Sequence, residues 1–331
     1  MRRSHSVMLV AVLVALGLTL ALQPGAIAQA QEYPARPVTL IVPWPAGGAQ
    51  DALGRMLAPR LADRLGRAVT VENRPGAGSV IGIGAAARSA PDGYTLAQAG
   101  AAFAINATVF KKLPYEPMTD FAPVALVAQV PFVLVVHPSV AARSAAELVS
   151  LAKGTPSLLS YASGGPGSPH HLYAEMFKSM TGIQLTHVPY KGSPPAVADV
   201  IAGHVPIHFS DPATSLPLIR DGKLRALGVT TASRMPSAPD IPPIAETGVA
   251  GFDVSSWIMI VAPSKTPREI VAKLHVELKN IAQLPEIQRQ VVNLGMIPIS
   301  SPSPEDLQRF IESEIIRWGK VVRQAGIAGS E

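Results

Sequence analysis

Cysteine is absent from all 331 residues. Its absence excludes disulfides, thiolate metal sites and a cysteine nucleophile, and with them a lipid anchor attached to a cysteine at a cleavage site. Charge is also sparse, at 15% of residues, with 28 basic against 23 acidic side chains. The basic residues are scattered singly, so no stretch reaches the density of a nucleic-acid or membrane-surface patch, and no nucleic-acid partner is expected. Catalytic signatures are missing: there is no Gly-x-Ser-x-Gly elbow, no Walker loop and no His-Glu-x-x-His. Gly76, Gly78 and Gly82 miss the dinucleotide-binding spacing by one residue. His204 and His208 stand four apart, but Pro206 and a β-rich setting oppose a helical metal face. His170 and His171 are adjacent and would diverge on a helix. These gaps leave no expected enzyme activity, cofactor or metal.

Long apolar runs are lacking too, with one exception at the start. Arg2 and Arg3 precede the run Val7–Leu22, and Ala28-Gln29-Ala30 supplies small residues at the cleavage spacing, the pattern of a secretory signal. The run is short for a membrane span of about 20 residues. Residues 1–30 are therefore expected to be a cleavable signal peptide, leaving a soluble chain in the periplasm, long enough for two α/β domains.

Two glycine-rich turns dominate what remains. The first is Val42-Pro43-Trp44-Pro45-Ala46-Gly47-Gly48-Ala49-Gln50-Asp51, between a strand-like run and a helix-like run bearing Leu53, Leu57, Leu61 and Leu65. The second is Tyr161-Ala162-Ser163-Gly164-Gly165-Pro166-Gly167-Ser168-Pro169-His170-His171, ahead of a helix with Leu172, Met176 and Met180. Glycine at such a turn lets bare backbone approach a ligand, and the helix behind it presents unpaired N–H groups and a partial positive charge. Each turn is thus a small-anion site that needs no arginine, and two of them make a ligand clamp.

Short β-rich runs (38–42, 69–72, 95–99, 132–136, 158–162, 186–188, 205–209 and 224–230) alternate with helical patterns. That alternation predicts parallel sheets with helices on both faces and ligands beyond the carboxyl ends of strands. Residues 267–282 form an amphipathic helix, and Ser303-Pro304-Glu305-Asp306 reads as a cap with proline at the first helical position of a last helix.

Several longer motifs carry a resemblance. They are Pro45–Asp51, Val71-Glu72-Asn73-Arg74-Pro75-Gly76-Ala77-Gly78, Ala90–Leu96, Lys112–Tyr115, His187-Val188-Pro189-Tyr190-Lys191-Gly192, Gly222–Leu227, Trp257 and Trp318–Val322. In this order they make the chain, from about residue 33 to 327, similar to the Bug family of periplasmic solute receptors, the binding components of tripartite tricarboxylate transporters. The resemblance implies a type II periplasmic binding-protein fold whose two domains close on a small carboxylate. It also implies delivery to a membrane permease of the tripartite tricarboxylate type. Domain one would comprise residues 32–131 plus 235–331, domain two residues 132–234, and the receptor would act as a monomer. A sensory receptor docking on a sensor kinase and an exported enzyme are the alternatives.

The expected ligand-binding residues are Trp44, Ala46, Gly47, Gly48, Asp51, Gly76, Ala77, Ser163, Gly165, Gly167, Ser168, His171 and Asp211. Some carry a second reading. Asp51 either meets the ligand or, since it would repel a carboxylate, supports the loop. His171 either faces the ligand or fixes its own loop, and Gly76-Ala77-Gly78 either lines the cleft or merely turns the chain. Against the family pattern, Gln50, Trp44, Gly100-Ala101-Ala102, Pro206 and Ser210-Asp211 are departures. The missing hydroxyls and acid, together with the Trp44 surface, predict an organic acid without an amino group, with an apolar or aromatic body. Asp211 is the residue that could reverse that preference.

Overall fold

The computed structural model describes residues 33–155 and 159–331; the signal segment and Leu158 lie outside the described residues. Two sheets organise residues 36–331. The first contains β1 (Val38–Val42), β2 (Val69–Asn73), β3 (Thr95–Gly100), β4 (Phe121–Val130), β10 (Ser256–Pro263) and β11 (Ile297–Pro298), in the order β11-β4-β10-β3-β1-β2. The second contains β5 (Val133–Val136), β6 (Ser160–Ser163), β7 (Thr186–Pro189), β8 (Ile207–Ser210) and β9 (Arg225–Val229), in the order β7-β6-β8-β5-β9.

The sheets are mixed rather than parallel as the alternation predicted. Strand β1 runs parallel to β2 and β3, but β10 is antiparallel to both β3 and β4. In the second sheet β6 is parallel to β7 and β8, whereas β5 is antiparallel to β8 and β9. In the first sheet the cause lies in strands that the sequence pattern hid; in the second, the strands were legible but not their directions. All eight residues of β10 are buried and all but Ser256 are apolar, so the strand shows no alternation, and β4 is nearly the same. Such runs are ambiguous by period alone.

Helices cover the sheets: α1 (Ala49–Leu65), α2 (Val80–Ala87), α3 (Ala101–Val109), α4 (Ala145–Gly154), α5 (Pro169–Thr181), α6 (Ser193–Ile201), α7 (Pro212–Arg220), α8 (Arg268–Ala282), α9 (Pro285–Asn293) and α10 (Pro304–Gln324). Helix α10 begins as its sequence predicts. Ser303 accepts from the Asp306 N–H at 3.2 Å, and Pro304 takes the first helical position. Its Trp318 is fully buried and stacks on Tyr173 of α5, 5.7 Å between centroids.

The chain passes from the first sheet to the second between β4 and β5, and returns between β9 and β10. The two passages are tied at one point: Phe132 N–H donates to Thr230 Oγ1 and Thr230 N–H donates to the Phe132 carbonyl, both at 2.9 Å. Residues from Ser256 onward join the first sheet, but the stretch 235–252, expected with it, lies on the second. Met235 belongs to the second sheet's core beside Val133 and Val229, and Phe252 meets the rings of Phe177 and Phe209. Fully buried apolar side chains have no stake in which sheet their sequence neighbours join, and Val229 N–H bonding to the Pro242 carbonyl at 2.8 Å holds the return segment there.

Candidate functional site

A cleft opens between the halves built on the two sheets. Its wall includes Trp44, Gly48 and Gln50 from the first turn, Ala102, Val130 and Ile258 from the first sheet's side, and Phe132, His170, Ser193 and Asp211 from the second. Several helices start at this wall. Those of α1, α3 and α6 have glycine at the cap position (Gly48, Gly100 and Gly192) and no side-chain cap. Their first N–H groups have no intrahelical partner and carry the positive end of the helix dipole. At α3 the Ala101 N–H is taken by Ser256 Oγ at 3.3 Å, and the other N–H groups of the three starts, converging on one cleft, build an anion site from backbone.

The first turn is held open by side chains behind it. Asp51 is 4% exposed and accepts from the Gly47 N–H at 3.0 Å, from Arg55 Nε at 3.0 Å and from Asn73 Nδ2 at 2.9 Å. Asn73 also donates to the Trp44 carbonyl at 2.9 Å. Burial alone would raise the Asp51 carboxyl, but these donors, Arg55 foremost, hold it below its usual value. The carboxylate is therefore an ionised staple for residues 44–47. The left-handed residue of the turn is Gly47 (φ 87°), while Gly48 is extended at φ −87°. Glycine at 47 is a conformational need, and at 48 it leaves the cleft wall bare.

The second turn has the same construction. Ser163 is fully buried, accepts from the Gly165 N–H at 3.0 Å and meets His187 Nε2 at 2.6 Å. Ser168 Oγ donates to the Gly165 carbonyl at 2.6 Å and accepts from the His171 N–H at 3.3 Å. His171 accepts from the Gly167 N–H through Nδ1 at 3.4 Å and stacks on His187, 4.2 Å between centroids. Burial, then the neighbouring positive groups, push His171 down to about 3, and burial pushes His187 down to about 4. Both rings are neutral at pH 7 and serve as fixed struts.

A second cavity, of about 230 Å³, also borders Trp44 and is lined by Gly76, Ala77, Gly78, Gly165, Tyr190 and Lys191 among others. Here the halves touch. A Cβ on Gly78 would overlap the Pro166 carbonyl oxygen, and one on Gly167 would overlap Asn106 Oδ1, whose amide donates to the Gly78 carbonyl at 2.8 Å. Ala77 and Ser79 are held at positive φ (45° and 85°), local strain concentrated at this contact.

The predicted residues thus divide into three groups. Trp44, Gly48 and Asp211 line the main cleft; Gly76, Ala77 and Gly165, with Trp44 again, line the second cavity. Ala46, Gly47, Asp51, Ser163, Gly167, Ser168 and His171 are on neither wall. Apart from exposed Ala46, they are the frame that shapes the two turns or, for Gly167, the contact between halves. Sequence reading passed over His170, Ser193 and Phe132. Successive helical residues point about 100° apart, so only one of His170 and His171 could face the cleft, and nothing in the sequence said which. Ser193 was legible in principle: Gly192-Ser193-Pro194 is a third glycine-capped helix start.

His170 is the most unusual side chain on the wall. It is 5% exposed, and both ring nitrogens lack a protein partner among the described residues. Its Nε2 lies 3.9 Å from Asp211 Oδ2, its ring stacks on His208 at 5.1 Å, and the edges of Trp44 and Phe132 close around it. Asp211 caps α7 by accepting from the Thr214 N–H at 3.2 Å. Burial would raise its carboxyl, but His170 and its hydroxyl neighbours hold it below the usual range. His204 and His208 do not combine: His204 faces Asp199 at the surface, and His208 is fully buried with Nδ1 on the Ala162 carbonyl at 2.8 Å.

Comparison with known proteins shows the family. The family described as tripartite tricarboxylate transporter family receptor matches residues 53–327. Protein BugT of Bordetella pertussis (strain Tohama I) is 38% identical over 299 residues, covering 90% of this chain and 91% of its own length. A protein encoded in the tcbD-tcbE intergenic region of Pseudomonas sp. (strain P51) is 36% identical over 88% of this chain and 86% of its own. Among solved structures, R. palustris Rpa4515 with adipate superposes with a TM-score of 0.87 at 39% identity, over 90% of this chain and 99% of that one. MatC from Rhodopseudomonas palustris with bound malate gives 0.83 at 30% identity, over 88% and 100%.

Proposed function

The chain belongs to the tripartite tricarboxylate transporter receptor family, and from that premise we propose that it captures a small organic carboxylate in the cleft between its two sheets. The observation that carries this reading is the convergence of α1, α3 and α6, each starting at a glycine without a side-chain cap. Such starts favour negative charge and give it N–H donors without a competing cation. Relatives solved with adipate and with malate support the same class of ligand. The mostly apolar remainder of the wall, Trp44, Phe132, Val130 and Ile258 among it, fits an acid with an apolar body and no amino group.

In this reading residues 32–131 plus 235–331 and residues 132–234 act as two lobes that close on the ligand, except that the stretch 235–252 travels with the second lobe, against whose core it packs, and Phe132 and Thr230 stand at the hinge. Residues 1–30 direct export to the periplasm, and the loaded monomer passes its ligand to a tripartite permease without chemical change. Among the described residues no helix is long and apolar enough to cross a membrane, so the permease is a separate partner in this scheme. A thermal-shift screen of the mature chain against organic acids tests the reading, because a ligand that binds only the folded state raises the midpoint. Uptake of the labelled acid, lost on deleting the gene, tests the transport role. If no carboxylate shifts the midpoint at millimolar concentration, the reading is wrong.

A further inference from the structure

The ligand's carboxylate accounts for the helix starts but not for His170 and Asp211. An ionised, buried carboxylate on the wall of an anion site repels the anion unless something else occupies it. Asp211 Oδ1 is engaged by the Thr214 N–H, which leaves Oδ2 facing His170 Nε2 across 3.9 Å. That distance is too long for a direct hydrogen bond and leaves both atoms with bonding capacity at the cleft.

The protonation pattern of the pair follows from its neighbours. An imidazole lone pair aimed at an ionised carboxylate oxygen would be repelled, so the hydrogen of His170 sits on Nε2. Behind His170, the stacked His208 is fixed as well. Its Nδ1–H donates to the Ala162 carbonyl, and burial, followed by the nearby His170, pushes it down to about 3, so it is neutral and adds no charge. Trp44 and Phe132 present ring edges and bring no charge either. Gly164 makes room for the ring, since a Cβ there would sit 2.8 Å from His170 Nδ1. One N–H donor, buried and without a protein partner, and one anionic acceptor therefore stand 3.9 Å apart at the cleft wall.

Three ligand groups can be compared at that point. A plain carboxylate oxygen would accept from His170 but face Asp211 Oδ2 with its own lone pairs. An ammonium group would donate to Asp211 but oppose the His170 N–H, amid helix ends that already favour anions. A hydroxyl oxygen placed about 2.8 Å from each atom accepts from one and donates to the other. We propose that His170 and Asp211 form a pair that reads a hydroxyl group, so that the ligand class is a hydroxylated carboxylate. The inference rests on the carboxylate reading above and adds what distinguishes one acid from another.

Calorimetry with two matched series tests it: succinate, malate and aspartate, then 3-phenylpropionate, phenyllactate and phenylalanine. In at least one series the hydroxy acid should bind ten times more tightly than its deoxy parent and more tightly than the amino acid. The preference should fall to twofold or less in His170→Ala and in Asp211→Asn, whatever either variant does to the affinity for the deoxy parent. Asparagine also caps helices, so the second variant keeps the α7 start and remains informative if the first folds poorly. Equal binding of hydroxy and deoxy acids, tightest binding of an amino acid, or a preference that survives both substitutions would overturn the pair while leaving the carboxylate reading intact. Silence from all six compounds in a natively folded protein would overturn both.

Discussion

Alanine at Gly78 should weaken ligand binding without approaching the ligand. Gly78 is left-handed (φ 57°), and its missing Cβ lets the loop meet the Pro166 carbonyl of the opposite half. The substitution has two separable costs. Left-handed backbone at alanine costs about 1–2 kcal/mol whether the halves are together or apart. The overlap with a backbone oxygen exists only when they are together, and relieving it needs a retreat of about 1 Å. Pro166 cannot easily give way, because Ser168 Oγ pins the Gly165 carbonyl at 2.6 Å. If the overlap disfavours the closed arrangement by about 2 kcal/mol, the apparent Kd rises about thirtyfold, since affinity scales with the competent fraction. A matched control is Gly66→Ala, because Gly66 has φ 67° with nothing within 4 Å of its Cβ. It carries the backbone cost alone. Calorimetry should show weakened binding for Gly78→Ala and unchanged binding for Gly66→Ala, with both melting earlier. Equal affinities in the two variants would refute the reasoning.

Further outcomes follow from the two turns and the buried histidines. Gly48→Val should keep the fold, since its backbone is extended and its Cβ would meet only the Pro45 carbonyl at 3.8 Å, yet reduce affinity at least tenfold by calorimetry. Asp51→Ala should cost about 2 kcal/mol in urea unfolding, because it strips three donors of a buried acceptor, and should loosen binding through the freed loop. His171, His187 and His208 all sit below the ordinary histidine value when folded, so protonation favours the unfolded chain. Their stabilisation is complete above about pH 6.5 and is lost as pH falls towards 4 and then 3, with a slope approaching about 4 kcal/mol per pH unit. Urea midpoints from pH 7.5 to 4.5 check this, and a flat profile across pH 6 to 4.5 would contradict the neutral struts.

What was legible in the sequence was whatever depends on local chemistry. Glycine, serine and proline at strand-to-helix turns announce themselves, and Ser303-Pro304 or Ser168-Pro169 can hardly be anything but a helix start. The family resemblance added the overall plan, and the match over residues 53–327 agrees with it. What was not legible depends on direction in space. Strands β4 and β10 are apolar but for Gln129 and Ser256, so no alternation marks a face, and their antiparallel pairing turns the first sheet from parallel to mixed. The wall residues were hidden for a related reason. Ser163, Asp51 and His171 stand in the right loops but face inward, where their bonds hold the loop. His170, one position away from His171, takes the place on the wall.

The glycines that shape the anion site and those that let the halves meet answer different demands, and this separates affinity from closure in the same loops. Gly48 borders the ligand space, while Gly78 and Gly167 face Pro166 and Asn106 across the junction, and Gly192 alone meets both demands, capping α6 and facing Pro45. Phe132 joins the two functions from the other side. Its ring lies on the cleft wall, 5.1 Å from the His170 ring, while its backbone N–H and carbonyl are both committed to Thr230, where the two chain passages are tied. A ligand packed against that ring touches the residue about which the halves would turn. Contact at the wall and the angle between the sheets therefore share one residue, which is the physical connection a receptor needs if filling its cleft is to change its shape.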